Sequence, residues 1–293
     1  MILEYSAERA ARLDSVLHTD MGLSTGLIKR LKWQQALLVN GEPSHTDRIV
    51  LPGDAILVRI EEEAEGFPPE SMPLSILYED DALLAVDKPA GILVHPSPQR
   101  NTGTLANGIL DYFQKTGTVS AVHPVTRLDR DTFGVVLVAK SAHVHAKCCA
   151  LLKQGNMRKV YLASVFGCPE QDEGIIDAPV YKIGNGSLLR IADPRGKPAL
   201  TEYRVLRRFE NAALLELHPL TGRTHQLRLH CKTAGFPILG DPQYNTPASE
   251  LFSSQNGLFT QQLCAAELSF VHPMTGEPVV IRSAQSPLLP EQK

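Results

Sequence analysis

Residues 61–75 constrain the fold more than any other segment, because they can continue neither a helix nor a central strand. The acidic and chain-breaking residues of this stretch are Glu61, Glu62, Glu63, Glu65, Gly66, Pro68, Pro69 and Pro73. Such a composition is typical of an extended linker. With 293 residues, the chain is long enough for one domain plus a small module. The sequence therefore predicts a first unit over residues 1–60, a linker over 61–75 and a second unit over 76–293.

Charge is distributed unevenly between these segments. The formal net charge is −3, but residues 61–81 carry eight acidic and no basic side chains. Residues 1–60 are balanced, with seven of each sign, so residues 82–293 hold 22 basic against 17 acidic side chains. The overall charge argues against a heavily basic nucleic-acid binder, yet the second unit can still present a polyanion-binding face.

Cysteine content and hydropathy argue against several protein classes. The five cysteines are odd in number and form no CxxC pair, and no charged-then-apolar leader opens the sequence. A secreted disulfide scaffold is therefore not expected. No run approaches the ~18 consecutive apolar residues that a membrane span needs. We expect a cytoplasmic protein without a membrane segment, and nothing in the sequence requires an obligate protein partner.

The first unit reads as two short helices and a β-hairpin. One helical face carries Leu13 and Leu17, and Ser24 is a predicted N-cap for a second helix. That second helix has an apolar stripe and a basic face formed by Lys29, Arg30 and Lys32. Asn40-Gly41 is a strong hairpin signal because both residues accept a positive φ.

These features together resemble an S4-type RNA-binding module. The points of resemblance are Arg12-Leu13-Asp14, the basic second helix, Val39-Asn40-Gly41 and Pro52-Gly53-Asp54. Charge alone favours a solvated helix face for Lys29, Arg30 and Lys32. The order and spacing of all four features favour the resemblance instead, which implies that these cations contact folded RNA. Trp33 is interpreted as a residue of the module core or as an aromatic at its rim.

The second unit alternates short β-like runs with loops and a few helical patterns. The clearest runs are 82–86, 134–139, 160–165 and 213–217. We expect an α+β protein in which the S4-like module is joined to a mixed α/β domain with a mainly antiparallel central sheet.

A dense polar loop, residues 127–134, leads into one of these strands. It reads Arg127-Leu128-Asp129-Arg130-Asp131-Thr132-Phe133-Gly134, with four charges in five positions. A polar loop at the end of a buried strand is a common place for a catalytic carboxylate, although an Asp between two Arg is also typical of a salt-bridged turn.

This loop resembles the catalytic motif of RluA-type RNA pseudouridine synthases, of the RluD-like ribosomal large-subunit subgroup. Thr126 stands where that motif commonly has His, and Phe133 stands where it has a small hydroxyl residue. Further motifs follow in the family's order over about residues 78–281. They are Leu84–Ile92, Lys159–Ala163, Gly196–Ala199 with Thr201–Tyr203, Thr221–His230 with Gly240-Asp241, and Leu263–Ala266 with Phe270–Pro273.

The resemblance implies roles for three catalytic residues. Asp129 acts as nucleophile toward the ribose, or as base on it, while water is held away. Arg228 lies against Asp129 and favours its charged form. Tyr161 stacks on the extruded uracil, and its hydroxyl accepts or relays the proton from C5. Asp131 is interpreted as a surface partner of the loop.

Four further residues are candidates for RNA contact. Arg127, beside the catalytic carboxylate, could fill the space left by the flipped nucleotide or grip a phosphate. Arg223, His225 and Gln226 could hold the RNA backbone or the uracil edge. A hydrogen-bond network within the domain is an equally good interpretation of all four.

No metal or other cofactor is expected. His143, His145, Cys148 and Cys149 invite a metal interpretation, but His143 and His145 fall on different helix faces and no distant ligand pair completes the set.

The preferred function is therefore an isomerase that converts uridine to pseudouridine in structured RNA, with ribosomal RNA as the expected substrate. Three alternatives stay open: a transfer-RNA pseudouridine synthase, a non-catalytic RNA-binding or ribosome-assembly factor, and a nucleosidase that releases uracil.

Overall fold

The computed structural model describes residues 2–60, 66–97, 100–184 and 189–290. Glu61, Glu62, Glu63 and Glu65 of the expected linker lie outside the described residues. None of the helices in these ranges is both long and apolar enough to cross a membrane.

The first unit combines short strands with two helices. Its elements are β1 (Ile2–Ser6), β2 (Ala11–Arg12), α1 (Leu13–Ser15), α2 (Thr25–Trp33), β3 (Leu37–Val39), β4 (Glu42–Pro43), β5 (Ile49–Val50) and β6 (Ala55–Arg59). A π-helical turn, Val16–Asp20, continues α1. Ser24 caps α2, since its hydroxyl accepts the Leu27 N–H at 3.2 Å. Asn40 and Gly41 both have positive φ and connect β3 to β4, so the predicted cap and hairpin are confirmed.

A separate apolar core holds the first unit together. The antiparallel sheet has the strand order β1-β6-β3-β4. Leu13, Leu17 and Leu31 from the helical segments pack against Val39 and Val58 of the sheet. Trp33, at the end of α2, is 81% exposed, so it is not a core residue, and of its two interpretations only the aromatic at the rim is consistent with the structure.

The second unit is built on one large sheet. Its strands are β7 (Ile76–Glu79), β8 (Leu83–Lys88), β9 (His123–Pro124), β10 (Phe133–Ala139), β11 (Met157–Phe166), β12 (Glu173–Asp177), β13 (Val180–Lys182), β14 (Arg190–Ala192), β15 (Leu200–Arg208), β16 (Ala212–Pro219), β17 (Leu263–Val271) and β18 (Pro278–Arg282). Its helices are α3 (Leu105–Thr116), α4 (Ala142–Gln154), α5 (Gln226–Thr233) and α6 (Pro247–Gln255). The four predicted strands correspond to β8, β10, β11 and β16.

The main path of the large sheet runs β12-β15-β16-β11-β17-β10-β8-β7, with β18 beside β17 and β9 beside β10. Only β10 and β17 pair in parallel among its described strands. The prediction of an α+β protein with a mainly antiparallel sheet is therefore confirmed.

Alternation of side chains along β8 and β10 builds cores on both faces of the sheet. Leu84 and Val136 pack with α3, whereas Leu83 and Leu137 pack with α4 on the opposite face. Because both faces are covered, these strands are continuously apolar over residues 83–86 and 133–139.

The residues that follow the undescribed 61–65 segment are extended but firmly attached. Phe67 is buried in the core beneath α3, and Pro68 O accepts a hydrogen bond from Asn107 Nδ2 at 2.7 Å. The backbone N–H of Glu70 also donates to Asn107 O. The packed structure of the second unit thus begins at Phe67, earlier than the expected boundary at residue 76.

A close approach of two strands fixes the start of β10. Gly134 has φ of +107°, and a Cβ at this position would lie 2.8 Å from the backbone nitrogen of Ala265 in β17. Ala265 also pairs with Tyr161 of β11, where the register shifts by one residue. Because Gly134 has no Cβ, β10 can approach Ala265 closely. The loop before β10 and the strand that bears Tyr161 therefore lie on the two sides of the same β17 residue.

We expect Gly134→Ala to lower the free energy of unfolding by at least about 3 kcal/mol, because the new Cβ would collide with the Ala265 backbone in a left-handed conformation. Urea denaturation measures this change. Gly117→Ala is the matched control, since Gly117 has φ of +73° with nothing near its Cβ position; it should cost about 1 kcal/mol. Equal losses in the two variants would contradict the close-approach argument.

Candidate functional site

The carboxylate of Asp129 lies in the loop between β9 and β10. Its side chain is 27% exposed, so solvent and a ligand can reach it. The guanidinium of Arg228 approaches this carboxylate, with Nη1 3.2 Å from Oδ2. The structure thus brings together two residues that are 99 positions apart in sequence.

Arg228 is buried on α5 and is held by a second carboxylate. Its Nε and Nη2 donate to the two oxygens of Asp241 at 2.7 and 2.8 Å, and Nη2 also donates to Gln243 Oε1 at 3.1 Å. Such a two-pronged arginine–carboxylate pair fixes the plane of the guanidinium. Nη1 is thereby aimed at Asp129.

The electrostatics of this pair are consistent with a permanent charge on both groups. Burial by itself raises the pKa of Asp241, but hydrogen bonds from Arg228 and from the backbone N–H groups of Gln243 and Tyr244 outweigh it and lower the pKa. Burial works against the charge of Arg228, yet Asp241 and Asp129 together raise its pKa. A buried guanidinium facing two carboxylates avoids the large penalty of an unpaired charge.

Tyr161 lies beside this ion pair on β11. Its ring is half-buried and packs with the core around α5 and β16. Burial raises the pKa of its hydroxyl, and the negative charge of Asp129 raises it further. The hydroxyl therefore carries its proton at neutral pH, and it is close enough to Asp129 to feel its charge.

Lys88 is a buried residue of the site to which the sequence motifs assigned no role. The side chain is fully buried at the end of β8, and its Nζ donates to the carbonyls of Pro89, Ile92 and Arg130 at 2.8–2.9 Å. Burial lowers the pKa of Lys88 to about 8, while the carboxylates of Asp131 and Asp129 oppose the shift. Lys88 thus ties the loop that carries Asp129 to the strand that supports it.

The remaining residues of the loop are anchored or exposed. Thr132 is buried and accepts a hydrogen bond from Gln261. Asp131 pairs with Arg130 at 2.9 Å on the surface side. Arg127 is exposed.

The candidate RNA contacts on α5 and on the turn before it differ in how far they are exposed to solvent. Arg223 is exposed, with Nε donating to Pro198 O at 3.2 Å. His225 is half-buried, with Nε2 3.9 Å from Asp129 Oδ2. Gln226 is buried, and its amide bonds to Thr221, Arg223, Leu200 and Thr201. For Gln226 the structure favours the alternative of a network within the domain over an RNA contact.

The three cations of α2 also differ in exposure. Lys29 and Lys32 are exposed, but Arg30 is half-buried. Arg30 lines a cavity of about 220 Å³ together with His143 of α4. The expectation that all three cations face outward as one group therefore needs correction for Arg30, which turns toward the second unit.

The histidines and cysteines of α4 are dispersed. His145 Nε2 lies 3.5 Å from Cys149 Sγ on the surface, whereas His143 and Cys148 are buried elsewhere on the helix. Burial lowers the pKa of His143 to about 4, with Lys147 acting in the same direction.

Besides Lys88, two residues that complete the site were not predicted from the sequence. Asp241 lies within a motif that assigns it no role of its own, and no motif includes Tyr244. The Tyr244 ring stacks on Arg228, whose Cζ lies 4.9 Å from the ring centroid. The Gly240-Asp241 pair, which follows the Thr221–His230 motif, was a signal for Asp241, but no local pattern indicated Tyr244.

Comparisons with known proteins give a matching family model and several relatives. The family model for RNA pseudouridylate synthase matches residues 82–233. RNA pseudouridine synthase YjbO of Bacillus subtilis is 36% identical over 261 residues, which cover 88% of this chain and 90% of that protein. Ribosomal large subunit pseudouridine synthase D of Nitrosomonas europaea is 38% identical over 218 residues, covering 74% and 63% of the two chains. The solved structure of human RNA pseudouridylate synthase domain containing 4 is 25% identical with a TM-score of 0.58, covering 73% of this chain and 88% of that one.

We expect Lys88→Met to lower the free energy of unfolding by about 3 kcal/mol, because methionine fills the space but leaves three buried carbonyl groups without their donor. Urea denaturation checks this value. Lys115→Met is the matched control, since Lys115 is exposed and makes a surface pair with Asp111; it should change the stability by less than about 0.5 kcal/mol. A loss at Lys88 no larger than that at Lys115 would contradict the anchoring role.

Proposed function

Since the chain belongs to the RNA pseudouridylate synthase family and is therefore an isomerase of uridine in RNA, we propose that its substrate is ribosomal RNA. The names of several relatives support this choice. The large-subunit enzymes of Nitrosomonas europaea and of Neisseria meningitidis are 38% and 35% identical to this chain. No feature of the described structure favours transfer RNA.

We propose that Asp129 performs the chemistry, and its contact with Arg228 is the observation that carries this assignment. The reaction breaks the bond between uracil N1 and ribose C1′ and joins C5 to the same carbon. An ionised carboxylate can attack C1′, or remove a proton from the sugar, while the bonding electrons leave with N1. Arg228 pairs with the carboxylate of Asp129 and orients it without itself acting as a base.

The fate of the leaving uracil separates this reaction from hydrolysis. Glycosidases ordinarily use a second carboxyl group to protonate the leaving group or to activate water. Here Asp131 is paired with Arg130 on the surface, and Asp241 is saturated by Arg228 and backbone N–H groups. Neither carboxylate is placed to activate water, so the arrangement favours isomerisation over a nucleosidase activity.

Tyr161 is proposed to hold the uracil and to handle its last proton. Its half-buried ring offers a face for stacking, a contact worth about 1–3 kcal/mol. Once C5 has bonded to C1′, the proton on C5 must leave and N1 must gain one. The hydroxyl of Tyr161, with its raised pKa, suits proton relay better than it suits a permanent base.

The target uridine must leave its stack to reach Asp129. Arg127 lies two positions before Asp129 and Arg223 two positions before His225, and both are exposed. We propose that they hold the RNA backbone around the flipped nucleotide. Unpaired loops of structured RNA make this extrusion less costly than a helix does.

The first unit is proposed to be an S4-like module that adds affinity for folded RNA. It has its own core, two helical segments and a hairpin, and it exposes Lys29 and Lys32 on α2.

The alternative of a non-catalytic RNA-binding factor is disfavoured because Asp129, Tyr161 and Arg228 lie together, although Thr126 and Phe133 depart from the family's motif. We also propose a cytoplasmic location, which the five free cysteines support.

We expect Asp129→Asn to abolish pseudouridine formation while RNA affinity stays within about threefold, because the amide keeps the size of the side chain but cannot attack or deprotonate the sugar. Tritium release from C5-labelled RNA and filter binding measure the two quantities. Asp131→Asn is the matched control and should keep its activity. Turnover of Asp129→Asn above a tenth of the wild-type rate would contradict the assignment.

We expect the double substitution Lys29→Ala and Lys32→Ala to flatten the salt dependence of RNA binding by about one to two phosphate equivalents, with a slope near −0.9 for each on duplex RNA. Affinity measured at several salt concentrations gives the slope. Arg30→Ala, at the half-buried position, should change the slope less than either lysine. An unchanged slope in the double variant would mean that this face of α2 does not touch RNA.

A further inference from the structure

His225 occupies an unusual backbone position immediately before α5. Its φ is +57°, in the left-handed region that non-glycine residues adopt at a cost. This conformation turns the imidazole toward both Tyr244 and Asp129. The Nδ1 atom lies 2.9 Å from the Tyr244 hydroxyl, and Nε2 lies 3.9 Å from Asp129 Oδ2.

The hydrogen bonds around Tyr244, together with the carboxylate that faces Nε2, favour one tautomer of His225. The Tyr244 oxygen accepts the backbone N–H of Arg190 at 2.9 Å, so its own O–H is available to donate to Nδ1. A neutral imidazole that accepts at Nδ1 carries its hydrogen on Nε2. That hydrogen faces the carboxylate of Asp129.

The charged groups around His225 favour the neutral ring. Burial lowers the pKa of His225, while Asp129 raises it. Arg228 on α5 and Arg190 on β14 lower the pKa as well, and Asp241 opposes them. Because its pKa is lowered, the ring of His225 is uncharged at neutral pH. The neutral ring can accept at Nδ1 from the Tyr244 O–H, while the Tyr244 oxygen accepts the Arg190 N–H.

Two donors thus approach the same oxygen of Asp129. Arg228 Nη1 is 3.2 Å from Oδ2, and His225 Nε2 is 3.9 Å from the same atom. In the part of the chain that the structure describes, no hydrogen bond reaches Oδ1. The two oxygens of one carboxylate are therefore placed in different environments.

We propose that His225 is a positioning residue which, with Arg228, holds Oδ2 of Asp129 and leaves Oδ1 as the oxygen that reacts with the ribose. This inference rests on the proposed function of Asp129. The 3.9 Å separation exceeds a hydrogen bond and closes when the nucleotide enters, as catalytic hydrogen bonds often shorten in the substrate complex. A carboxylate that cannot rotate presents its reacting oxygen at a constant angle.

Two isosteric substitutions separate the contacts of the two ring nitrogens. His225→Asn places an amide near the position of Nδ1 and tolerates a positive φ, but it leaves nothing facing Asp129. His225→Gln places an amide donor near the position of Nε2. We expect His225→Asn to lower kcat by about tenfold to hundredfold with KM for RNA changed by less than about threefold, and His225→Gln to recover most of the loss. Wild-type kcat in His225→Asn, or equal losses in the two variants, would overturn the proposal.

The tautomer of His225 offers a test that is read on the wild-type protein. Nitrogen-15 spectra of the wild-type histidines should show the resonance of His225, assigned by its absence in His225→Gln or by its response to RNA, as the Nε2–H tautomer at neutral pH. The Nδ1–H tautomer would overturn the proposal.

Tyr244→Phe removes the donor that favours the neutral ring, so the pKa of His225 should rise and the acid limb of kcat should move to higher pH. An unmoved limb would contradict the role of Tyr244.

Failure of this inference can be told apart from failure of the proposed function. If wild-type protein forms pseudouridine and Asp129→Asn does not, but His225→Asn is fully active, then only the role of His225 is wrong. If Asp129→Asn remains active, the assignment of the reacting carboxylate itself is wrong, whatever the His225 variants do.

Discussion

A single guanidinium shared by two carboxylates organises the site. Arg228 is buried on α5, where its charge would be costly without partners, and Asp241 fixes it through two hydrogen bonds. The remaining nitrogen reaches Asp129, so the loop before β10 and the loop after α5 are bound to the same side chain. The Tyr244 ring covers the other side of the group. The loss of either carboxylate would leave the buried charge of Arg228 with fewer partners. The segments that carry Asp129, Arg228 and Asp241 therefore hold one another in place.

Strand β17 supplies the second constraint. Ala265 pairs with Gly134 at the start of β10 and with Tyr161 on β11, so the loop that carries Asp129 and the strand that carries Tyr161 are separated by the width of one strand. Lys88 fastens the same loop from the opposite side by donating to the carbonyl of Arg130. Asp129, its counter-ion Arg228 and the ring of Tyr161 are therefore all attached to the sheet and to α5, which is the arrangement that a preoriented site requires.

Much of this arrangement could be predicted from the sequence, and the exceptions have a physical cause. Alternating or continuous apolar runs predicted β8, β10, β11 and β16, and the local turn chemistry of Ser24 and Asn40-Gly41 was confirmed. Lys88 follows Asp87 at the end of an apolar run, and the sequence there indicates neither its burial nor its three carbonyl partners. The burial of Gln226 and the inward turn of Arg30 depend on contacts that only the folded chain creates. Local patterns encode elements, whereas the environment of a polar side chain depends on distant segments.

The central claim is that the carboxylate held by Arg228 isomerises uridine in ribosomal RNA. A map of pseudouridine in total RNA, from cells with and without this protein, tests it most directly. The account predicts that one or more sites in large-subunit ribosomal RNA disappear with the protein, return with the wild-type sequence and stay absent with the Asp129→Asn sequence. Complete retention of the ribosomal sites, or loss of a transfer-RNA site alone, would contradict it.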